Sequence, residues 1–472
     1  MNHHLRFRAA TRAVEALLVG AGAFGRSLLG QGRRMLLLNV RVAVDTSAER
    51  AAEAFRDSGW APAEIVLCGS AEEARAAWDA GLCVAAGRLA DVLALPVDIV
   101  VEASGHPEAG AAQALAAIEA GRHVGLVTKE TDSVIGPYLA HAARERGLVC
   151  TPVDGDQPAL LIALVTWAET LGLPILAAGK SSEYDFVLDA SAERISSEAR
   201  AADVPGFREF DRLRERPAGD VVRRRAELAA ALPQRAVPDL CELAVVANAT
   251  GLRPDVPGFH VPIARIDEVA TLFDTRERGG LLGDERRIDV FNALREEGDV
   301  SFAGGVFVTV RCEDRETWNV LAAKGHTVSR SGESAMIWIP RHLLGLEAPI
   351  SLLDAVINGV SVAGEPKPVV DLVGRATRPL PAGTRLVAEG HHHTIEGVAP
   401  ELVDAAPLEP GRPAPYYLLS GRRLLRDLPA GASITLADIE PAETTLLTLR
   451  RRQDTLFFTP DRETVPARQA HG

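Results

Sequence analysis

The chain has 472 residues, of which 47% are hydrophobic and 24% charged, and its formal net charge is −13. Single cores rarely grow beyond about 250–300 residues, so two or three folded domains are expected and a disordered chain is excluded. The acidic balance argues against nucleic acid or an anionic membrane as a partner, and no apolar window predicts a membrane span. The five cysteines form no Cys-x-x-Cys pair. This pattern is typical of a reduced, cytoplasmic protein.

Residues 13–153 alternate short apolar segments with alanine-rich segments. Strands that alternate with helices predict an α/β domain built on a parallel, doubly wound sheet. The predicted strands are "AVEALLVG", "NVRVAVD", "VDIVVEAS", "RHVGLVT" and "LVCTPV". Helices are predicted between them, for example over "SAERAAEAFRDSG" and "EAGAAQALAAIEAG".

The segment "VGAGAFG" places three glycines directly after the first predicted strand and before a helix. Gly20 permits a tight turn, Gly22 lets a pyrophosphate approach the backbone, and Gly25 lets the helix pack on the strand. This Gly-x-Gly-x-x-Gly placement predicts a Rossmann domain that binds a dinucleotide. The alternative is a Rossmann-like core without a ligand. The loop residues expected to bind the cofactor are Gly20, Gly22, Ala23, Phe24 and Gly25.

Asp45 ends the second predicted strand. An acidic residue at that position usually accepts hydrogen bonds from the adenosine ribose and repels a 2′-phosphate, so it favours NAD over NADP. The alternative is that Asp45 only caps the helix beginning near Ser47. Arg50 lies close enough in sequence to keep NADP open.

Two further strand ends predict residues near cofactor and substrate. Ser104 and Gly105 follow "VVEA" at the carboxyl edge of the sheet, where the two ligands meet in such domains. Lys129 and Glu130 leave the strand "RHVGLVT" at the same edge. A lysine there can polarise a carbonyl or shuttle a proton, and the alternative is an exposed loop lysine. His106 is interpreted as part of a structural His-Pro turn.

The segment "VDGDQP" follows the last strand of this region. Pro158 suits the first turn of a helix, and Asp156 or Gln157 suits its cap. A cap residue at the carboxyl edge of the sheet also faces the ligand. We therefore expect Asp156 and Gln157 to contact the ligand and to orient substrate hydroxyl groups.

Lys180 follows the apolar strand "LPILAAG" and is predicted to bind or protonate a substrate oxygen. Glu183, together with Asp154 and Asp156, could hold a divalent cation through oxygen ligands; the alternative is a solvated acidic loop. The run "HHHTIE" at residues 391–396 is interpreted as a surface loop, because three adjacent histidines cannot all face one ion.

Several phrases together resemble one protein family. They include "GAGAFGRSLL", "GDQPALLIALVTWAETLG", "AAGK", "ANATGLRPDVPGFHVP" and "EPKPVVDLVGRATRPLPAGT". The chain is similar to homoserine-dehydrogenase-like oxidoreductases with a C-terminal SAF domain, and in particular to the 1-deoxy-D-xylulose 5-phosphate reductoisomerase-like (DRL) enzymes. The resemblance implies a nicotinamide-dependent homodimeric reductase.

The residues and the resemblance together predict a domain division and a set of site residues, of which Asp156, Lys180, Asn248 and His260 match the family. Residues 13–153 form the Rossmann domain, 154–365 an α+β domain for catalysis and dimerisation, 366–445 a small β-rich SAF-like domain, and 446–472 a tail. The residues expected to act in catalysis are Lys180, Lys129, Asp156 and Gln157. The residues expected to bind substrate are Ser181, Ser182, Asn248 and His260.

The chain also departs from the reductoisomerase-like pattern. Gln157 stands where that family has Glu, Lys129 where it has Asn, and Asp45 has no acidic counterpart there. Glu183 and Asp185 follow Lys180, and an acidic loop repels a phosphate. The redox class is therefore expected to carry over, but the phosphosugar substrate is not.

The prediction is an NAD(P)-dependent oxidoreductase acting on a small polar hydroxy or keto compound, with or without a rearrangement. A divalent metal stays open. One alternative is an NADPH- and metal-dependent 1-deoxy-D-xylulose 5-phosphate reductoisomerase-like enzyme of isoprenoid precursor synthesis. A second alternative, of another class, is a cofactor-binding regulatory protein.

Overall fold

A parallel sheet forms the first layer of the fold. The computed structural model describes residues 2–390 and 393–459, and within them seven strands join in the order β3-β4-β2-β1-β5-β6-β7, each pair parallel. The strands are β1 Val14–Val19, β2 Leu38–Val44, β3 Ile65–Cys68, β4 Cys83–Ala86, β5 Ile99–Glu102, β6 His123–Leu126 and β7 Cys150–Pro152. The predicted α/β class and doubly wound parallel sheet are confirmed. Strands β3 and β4 lie outside the five predicted segments.

Helices cover both faces of this sheet. Along β1, Leu17 and Val19 enter one core, whereas Ala16 and Leu18 enter the other. This alternation follows from the period of two in a strand. The helices of this region are α1 His3–Arg6, α2 Ala23–Gly32, α3 Ala48–Asp57, α4 Ala71–Asp79, α5 Pro107–Glu119, α6 Lys129–Arg144 and α7 Gln157–Thr170. The strand order reverses between β1 and β5, and this reversal opens a crevice at the carboxyl edge.

A mixed sheet forms the second layer. Nine strands of the described chain take part, with the path β11-β10-β9-β14-β8-β15-β16, and β12 and β13 also pair with β14. The strands are β8 Ile175–Ser181, β9 Phe186–Asp189, β10 Arg194–Ser197, β11 Arg200–Asp203, β12 Arg253–Pro254, β13 Ile263–Ala264, β14 Arg287–Glu296, β15 Val306–Arg311 and β16 Ser334–Ile339. The helices are α8 Ala218–Leu228, α9 Val237–Thr250, α10 Val269–Leu272, α11 Arg315–Ala323 and α12 Pro349–Leu353. None of the helices in the described ranges is long and apolar enough to cross a membrane.

The third layer is a small module in which the phrase Leu-Pro-Ala-Gly occurs twice, at residues 380–383 and 428–431. Its elements are β17 Val370–Ala376, β18 Ala388–Glu389, β19 Thr394–Ile395, β20 Val398–Asp404 and α13 Tyr416–Leu419. Strands β17 and β20 pair antiparallel. Each Leu-Pro-Ala-Gly phrase supplies one leucine, and Leu380 and Leu428 exchange backbone hydrogen bonds of 2.9 Å in both directions. The expected small β-rich region is thus present, and its identity as a SAF domain stays a prediction.

The prediction of a tail at 446–472 is wrong for its first part. Helix α14, Thr445–Phe458, buries Leu446, Leu447 and Leu449. Its first N–H groups donate to the carboxylate of Glu108, at 2.6 and 3.0 Å. The helix therefore packs against α5 and α6 of the first region. Residues 460–472 of the predicted tail lie outside the described residues.

Arg450 connects α14 to the third module, and its removal is expected to destabilise the fold. The guanidinium is fully buried and bonds Asp371 at 2.5 and 2.9 Å and Asp454 at 2.8 Å. Arg450→Met leaves two carboxylates without their cation, so we expect the free energy of unfolding to fall by about 3–5 kcal/mol. Urea unfolding measures it. Arg451→Met is the control, since Arg451 is 54% exposed beside Glu443, and we expect a loss of at most about 1 kcal/mol.

Candidate active site

A cavity of about 330 Å³ opens at the carboxyl edge of the parallel sheet, between the first two layers. Most residues predicted for cofactor binding or catalysis line it. They are Gly22, Ala23, Phe24, Gly25, Ser104, Gly105, Lys129, Asp156, Gln157, Lys180 and Glu183. The sequence segments that supply them are far apart, and the sheet edge brings them together.

The glycine loop has the geometry that its spacing predicts. Gly20 has a φ of +92°, and a Cβ there would lie 2.2 Å from the carbonyl oxygen of Ala103. A Cβ on Gly25 would lie 2.3 Å from the carbonyl oxygen of Gly20. At Gly22, by contrast, no described atom lies within 4 Å of a Cβ. Gly22 is also the N-cap of α2, so the free N–H groups of the first helical turn face open space that suits a phosphate.

Asp45 is fixed beside this loop, and it does not line the cavity itself. Its Oδ2 accepts the N–H of Ala21 at 2.9 Å, and its Oδ1 accepts from the Thr46 N–H at 2.7 Å and from Arg50 Nε at 3.1 Å. Burial acts to raise the pKa of Asp45, but these donors outweigh it and the pKa is lowered. A carboxylate with a stable negative charge therefore adjoins the glycine loop.

The ends of β5 and β6 form one wall of the cavity. The N–H of Ser104 donates to Glu102 at 2.8 Å, and the N–H of Gly105 donates to Thr128 Oγ1 at 3.0 Å. These bonds hold the backbone of Ser104 and Gly105 open to the cavity. His106 acts as the N-cap of α5, where its Nδ1 accepts from Ala109, as the structural interpretation predicts.

Two lysines and three carboxylates form a network on the opposite wall. Lys129 Nζ lies 2.6 Å from Glu242 Oε1 and 3.3 Å from Asp156 Oδ2. Lys180 Nζ lies 2.8 Å from Asp239 Oδ1, and it also contacts Glu242. Glu242 therefore lies between the two ammonium groups. Lys180, Asp239 and Glu242 are each at most 3% exposed, whereas the side chain of Lys129 is 24% exposed.

The network fixes the protonation of both lysines. Burial acts to lower the pKa of Lys129, but the charges of Asp156 and Glu242 raise it well above its ordinary value. At Lys180 burial also acts to lower the pKa, but the charges of Asp239 and Glu242 outweigh it and the pKa is raised. For Glu242 the two lysines overcome burial and lower its pKa. Both ammonium groups thus keep their protons at neutral pH.

Asp239 and Glu242 were not predicted from the sequence. Both lie in the first turns of α9, which is otherwise buried and apolar. Their spacing of three places them on the same face of the helix. Acidic residues in a buried apolar helix are usually paired with a cation. The presence of two of them in this apolar run could therefore have predicted a buried ion-pair site.

The Asp-Gly-Asp-Gln-Pro turn is held against a loop from the far side of the cavity. Asp156 caps α7 by accepting the N–H of Gln157 at 3.0 Å. Gly155 has a φ of +87°, and a Cβ there would lie 1.8 Å from the carbonyl oxygen of Leu344. Two residues before Leu344, His342 also lines the cavity. Sequence reasoning did not single out His342.

Some predicted residues do not line this cavity. Ser182 lies next to it and donates to Asp239 at 2.9 Å, whereas the fully buried Ser181 donates to the carbonyl of Phe302. Asn248 accepts the N–H groups of Val369 and Val370, so it holds the connection to the third module. His260 pairs with Asp255 at 2.9 Å. The structure therefore places Ser181, Asn248 and His260 in structural contacts.

The acidic residues considered for a metal are not gathered into one site. Asp154 does not line the cavity, and its backbone N–H donates to Ser351. Among the described residues no group of three or more His, Cys, Asp or Glu side chains is placed to hold a metal ion. Asp156 faces the ammonium of Lys129 instead. Of the "HHHTIE" run, His391 and His392 lie outside the described residues. His393 lines the cavity, so the surface-loop prediction is wrong for that residue.

The chain is similar to known oxidoreductases over part of its length. Residues 238–348 match the family described as "Oxidoreductase DRL, catalytic domain". This range includes Asp239, Glu242 and His342. The 1-deoxy-D-xylulose 5-phosphate reductoisomerase of Heliobacterium modesticaldum is 37% identical over 123 residues, which are 25% of this chain and 31% of that protein. The match thus spans less than a third of the curated relative.

Similar solved structures include an NAD-binding oxidoreductase from Klebsiella pneumoniae, with 20% identity over 36% of this chain and 43% of that chain, and a TM-score of 0.25. A DOX-P reductoisomerase in complex with magnesium has 15% identity over 51% of this chain and 58% of that chain, and a TM-score of 0.30.

Asp132, on α6 behind the cavity, should make stability depend on pH. Burial raises its pKa to about 7, against about 3.9 in an unfolded chain. Its contribution to stability is therefore fully present below about pH 4 and is lost as the pH rises through 7. We expect Asp132→Asn to match the wild type near pH 4 and to exceed its free energy of unfolding by up to about 4 kcal/mol at pH 8.

Urea unfolding of both proteins at the two pH values measures this difference. Asp57→Asn is the control, since Asp57 is 53% exposed and we expect changes below about 0.5 kcal/mol at either pH. A variant that is no more stable than the wild type at pH 8 would show that the fold does not raise the pKa of Asp132.

Proposed function

We propose that this chain is an NAD(P)-dependent oxidoreductase acting on a small polar hydroxy or keto compound. The observation that carries the proposal is that the glycine loop, the buried Lys180 and the half-buried Lys129, both lysines protonated, line the same cavity. A dinucleotide held on the loop and an oxygen held by the lysines would meet there. The match of residues 238–348 to an oxidoreductase catalytic domain supports the same class.

The glycine loop and the end of β5 fit a dinucleotide. The open space at Gly22 and the free N–H groups of α2 would hold its pyrophosphate. The ionised Asp45 would accept hydrogen bonds from the adenosine ribose, which favours NAD. Arg50, already bonded to Asp45, is the residue that would turn to a 2′-phosphate in NADP. When bound, the nicotinamide supplies or takes up the hydride.

The lysines would stabilise negative charge on the substrate oxygen. As hydride reaches a carbonyl carbon, charge develops on the oxygen, and fixed ammonium groups in a buried cavity favour that state. Lys129 is the more accessible of the two lysines. Lys180 contacts Glu242, the carboxylate that also bonds Lys129. Asp156 and Gln157, at the start of α7, would orient substrate hydroxyl groups. Because both lysines keep their protons, their role here is electrostatic.

A divalent cation does not fit this donor set. Asp156, Asp239 and Glu242 each face a lysine ammonium, so each carboxylate already has a cationic partner, and the two ammonium groups would repel a metal ion. No step is therefore assigned to a metal here. We expect turnover to persist in EDTA.

The 1-deoxy-D-xylulose 5-phosphate reductoisomerase reaction is the second candidate. The observation that favours it is the 37% identity to the reductoisomerase of Heliobacterium modesticaldum over 123 residues. Glu183 on the cavity wall opposes a phosphorylated substrate. A cofactor-binding regulator is a third reading, and it predicts binding without turnover. We also propose a homodimer, which light scattering of the purified protein would test.

Gly22→Val tests the cofactor site. The residue has a φ of −71° and open space around its Cβ, so the fold should accept the valine while the side chain occupies the space proposed for the pyrophosphate. We expect NADH and NADPH affinity, measured by fluorescence, to fall at least about tenfold, equal to about 1.4 kcal/mol, with the melting temperature retained. Gly30→Ala on the same helix should bind normally. Unchanged affinity in Gly22→Val would place the cofactor elsewhere.

Turnover is tested by nicotinamide absorbance with 1-deoxy-D-xylulose 5-phosphate, using NADH and NADPH, each with Mg²⁺ and with EDTA. Turnover with NADPH that requires Mg²⁺ would establish the second candidate and overturn the role given to Asp45. Tight NADH binding without turnover would leave an unphosphorylated substrate to be found among small polyols and hydroxy acids. Binding without turnover on any of these compounds would favour the regulator.

Lys129→Met separates an enzyme from a binding protein. With Lys129 gone, Glu242 still pairs with Lys180, so the fold should persist. We expect kcat to fall at least about 100-fold, because one charge on the oxygen is lost, while cofactor affinity stays within about threefold. Lys324→Met, at an exposed helix end, is the matched control. Equal rates for the two variants would remove Lys129 from the mechanism.

A further inference from the structure

One side chain of the C-terminal module reaches the cavity. His393 lies in the loop between β18 and β19 and lines the cavity with the residues of the first two layers. Its Nε2 is 3.9 Å from Oε1 of Glu130, the buried neighbour of Lys129. The imidazole is thus placed beside a carboxylate at the wall that holds the lysine network.

The loop holds His393 in a strained and well-anchored conformation. His393 has a φ of +49°, which is uncommon for a residue other than glycine. The hydroxyl of Tyr416, fully buried, donates to the carbonyl of His393 at 3.2 Å and accepts the N–H of Ile395 at 2.9 Å. The ring of Tyr417 lies edge-on to the imidazole. Such strain persists only where surrounding contacts impose it, and it often marks a functional position.

The proposed reaction needs a group that can give and take a proton. Lys129 and Lys180 hold their protons too firmly for that role. Glu130 differs, because burial raises its pKa to about 7 despite the opposing charge of Lys129. An imidazole nitrogen can hold or release a proton, and that of His393 lies 3.9 Å from the Glu130 carboxylate on the cavity wall.

A second cavity, of about 380 Å³, lies on the other side of His393. It is lined by residues of α5 and of the third module, among them His106, Ser420 and Arg422. His106 and Gly421 on its rim are exposed, so the cavity reaches solvent. His393 lies between the two cavities and can exchange a proton with water on the side away from the substrate.

We propose that the C-terminal module completes the active site, and that His393, paired with Glu130, is the catalytic residue that protonates the substrate oxygen. The inference rests on the proposed function. In the reducing direction, hydride adds to the carbonyl carbon, and the π electrons of the C=O bond become a lone pair on oxygen. The imidazolium form of His393 gives one N–H proton to that oxygen and becomes a neutral imidazole, and a proton from solvent, taken up through the second cavity, restores the imidazolium. Alcohol oxidation reverses each step.

The test compares three histidine variants of the full chain in the nicotinamide assay. We expect His393→Ala to lower kcat at least about 100-fold, the usual size of an acid–base contribution, with cofactor affinity unchanged within about threefold. Free imidazole added to the assay should raise the kcat of His393→Ala at least about tenfold. His393→Asn, which tolerates the left-handed backbone, should lose as much kcat while keeping the wild-type melting temperature. His326→Ala, at an exposed position, should behave as the wild type.

The outcomes separate this inference from the proposed function. A wild-type protein without turnover on any substrate overturns the proposed function itself. An active wild type with His393→Ala within threefold of it overturns only the role of His393. A loss that imidazole does not restore overturns the proton transfer. A loss restored by imidazole, together with a folded and inactive His393→Asn, supports it.

Discussion

Burial of two lysine side chains at the junction of the two large sheets is the constraint on which the cavity depends. An ammonium group removed from water is tolerated only when carboxylates and hydrogen bonds replace its solvation. Lys180 comes from β8 and Lys129 from the start of α6, while their partners come from α7 and α9. The charges can be balanced only if these four elements meet. The network therefore fixes the position of the mixed sheet against the parallel sheet.

The same constraint decides what chemistry the cavity favours. Each lysine faces two carboxylates and shares Glu242 with the other, so the loss of either proton would increase the excess of negative charge in the network. Groups of this kind stabilise charge and do not transfer protons. A reaction that needs both effects requires a second pair of groups, and Glu130 with His393 supplies one on the same wall. The lysines are paired with Asp156, Asp239 and Glu242, and this pairing leaves Glu130 as the partner of His393.

Much of the first layer could be predicted from the sequence, because its signals are local. Strand–helix alternation and the spacing of Gly20, Gly22 and Gly25 define the sheet edge, and most of the site residues predicted at that edge line the cavity. Strands β3 and β4 escaped prediction, although β5 and β6, which were predicted, are no longer than they are. Asn248 was predicted to bind substrate because its phrase resembles a functional motif, and the structure shows its side-chain amide oxygen accepting backbone N–H groups of the linker. The residues around such a side chain in the sequence do not indicate which residue of another domain it contacts.

The C-terminal module shows the same limit most clearly. Nothing in "HHHTIE" predicts that His393 meets Glu130, which lies more than 260 positions earlier in the chain. The contact arises because helix α14 returns to the first layer, where Glu108 caps its first turn, and because Arg450 ties that helix to β17 through Asp371. The module is thereby held beside α5 and α6, and its His393 lines the cavity. A segment that composition suggests is a tail is thus what positions an imidazole at the proposed active site.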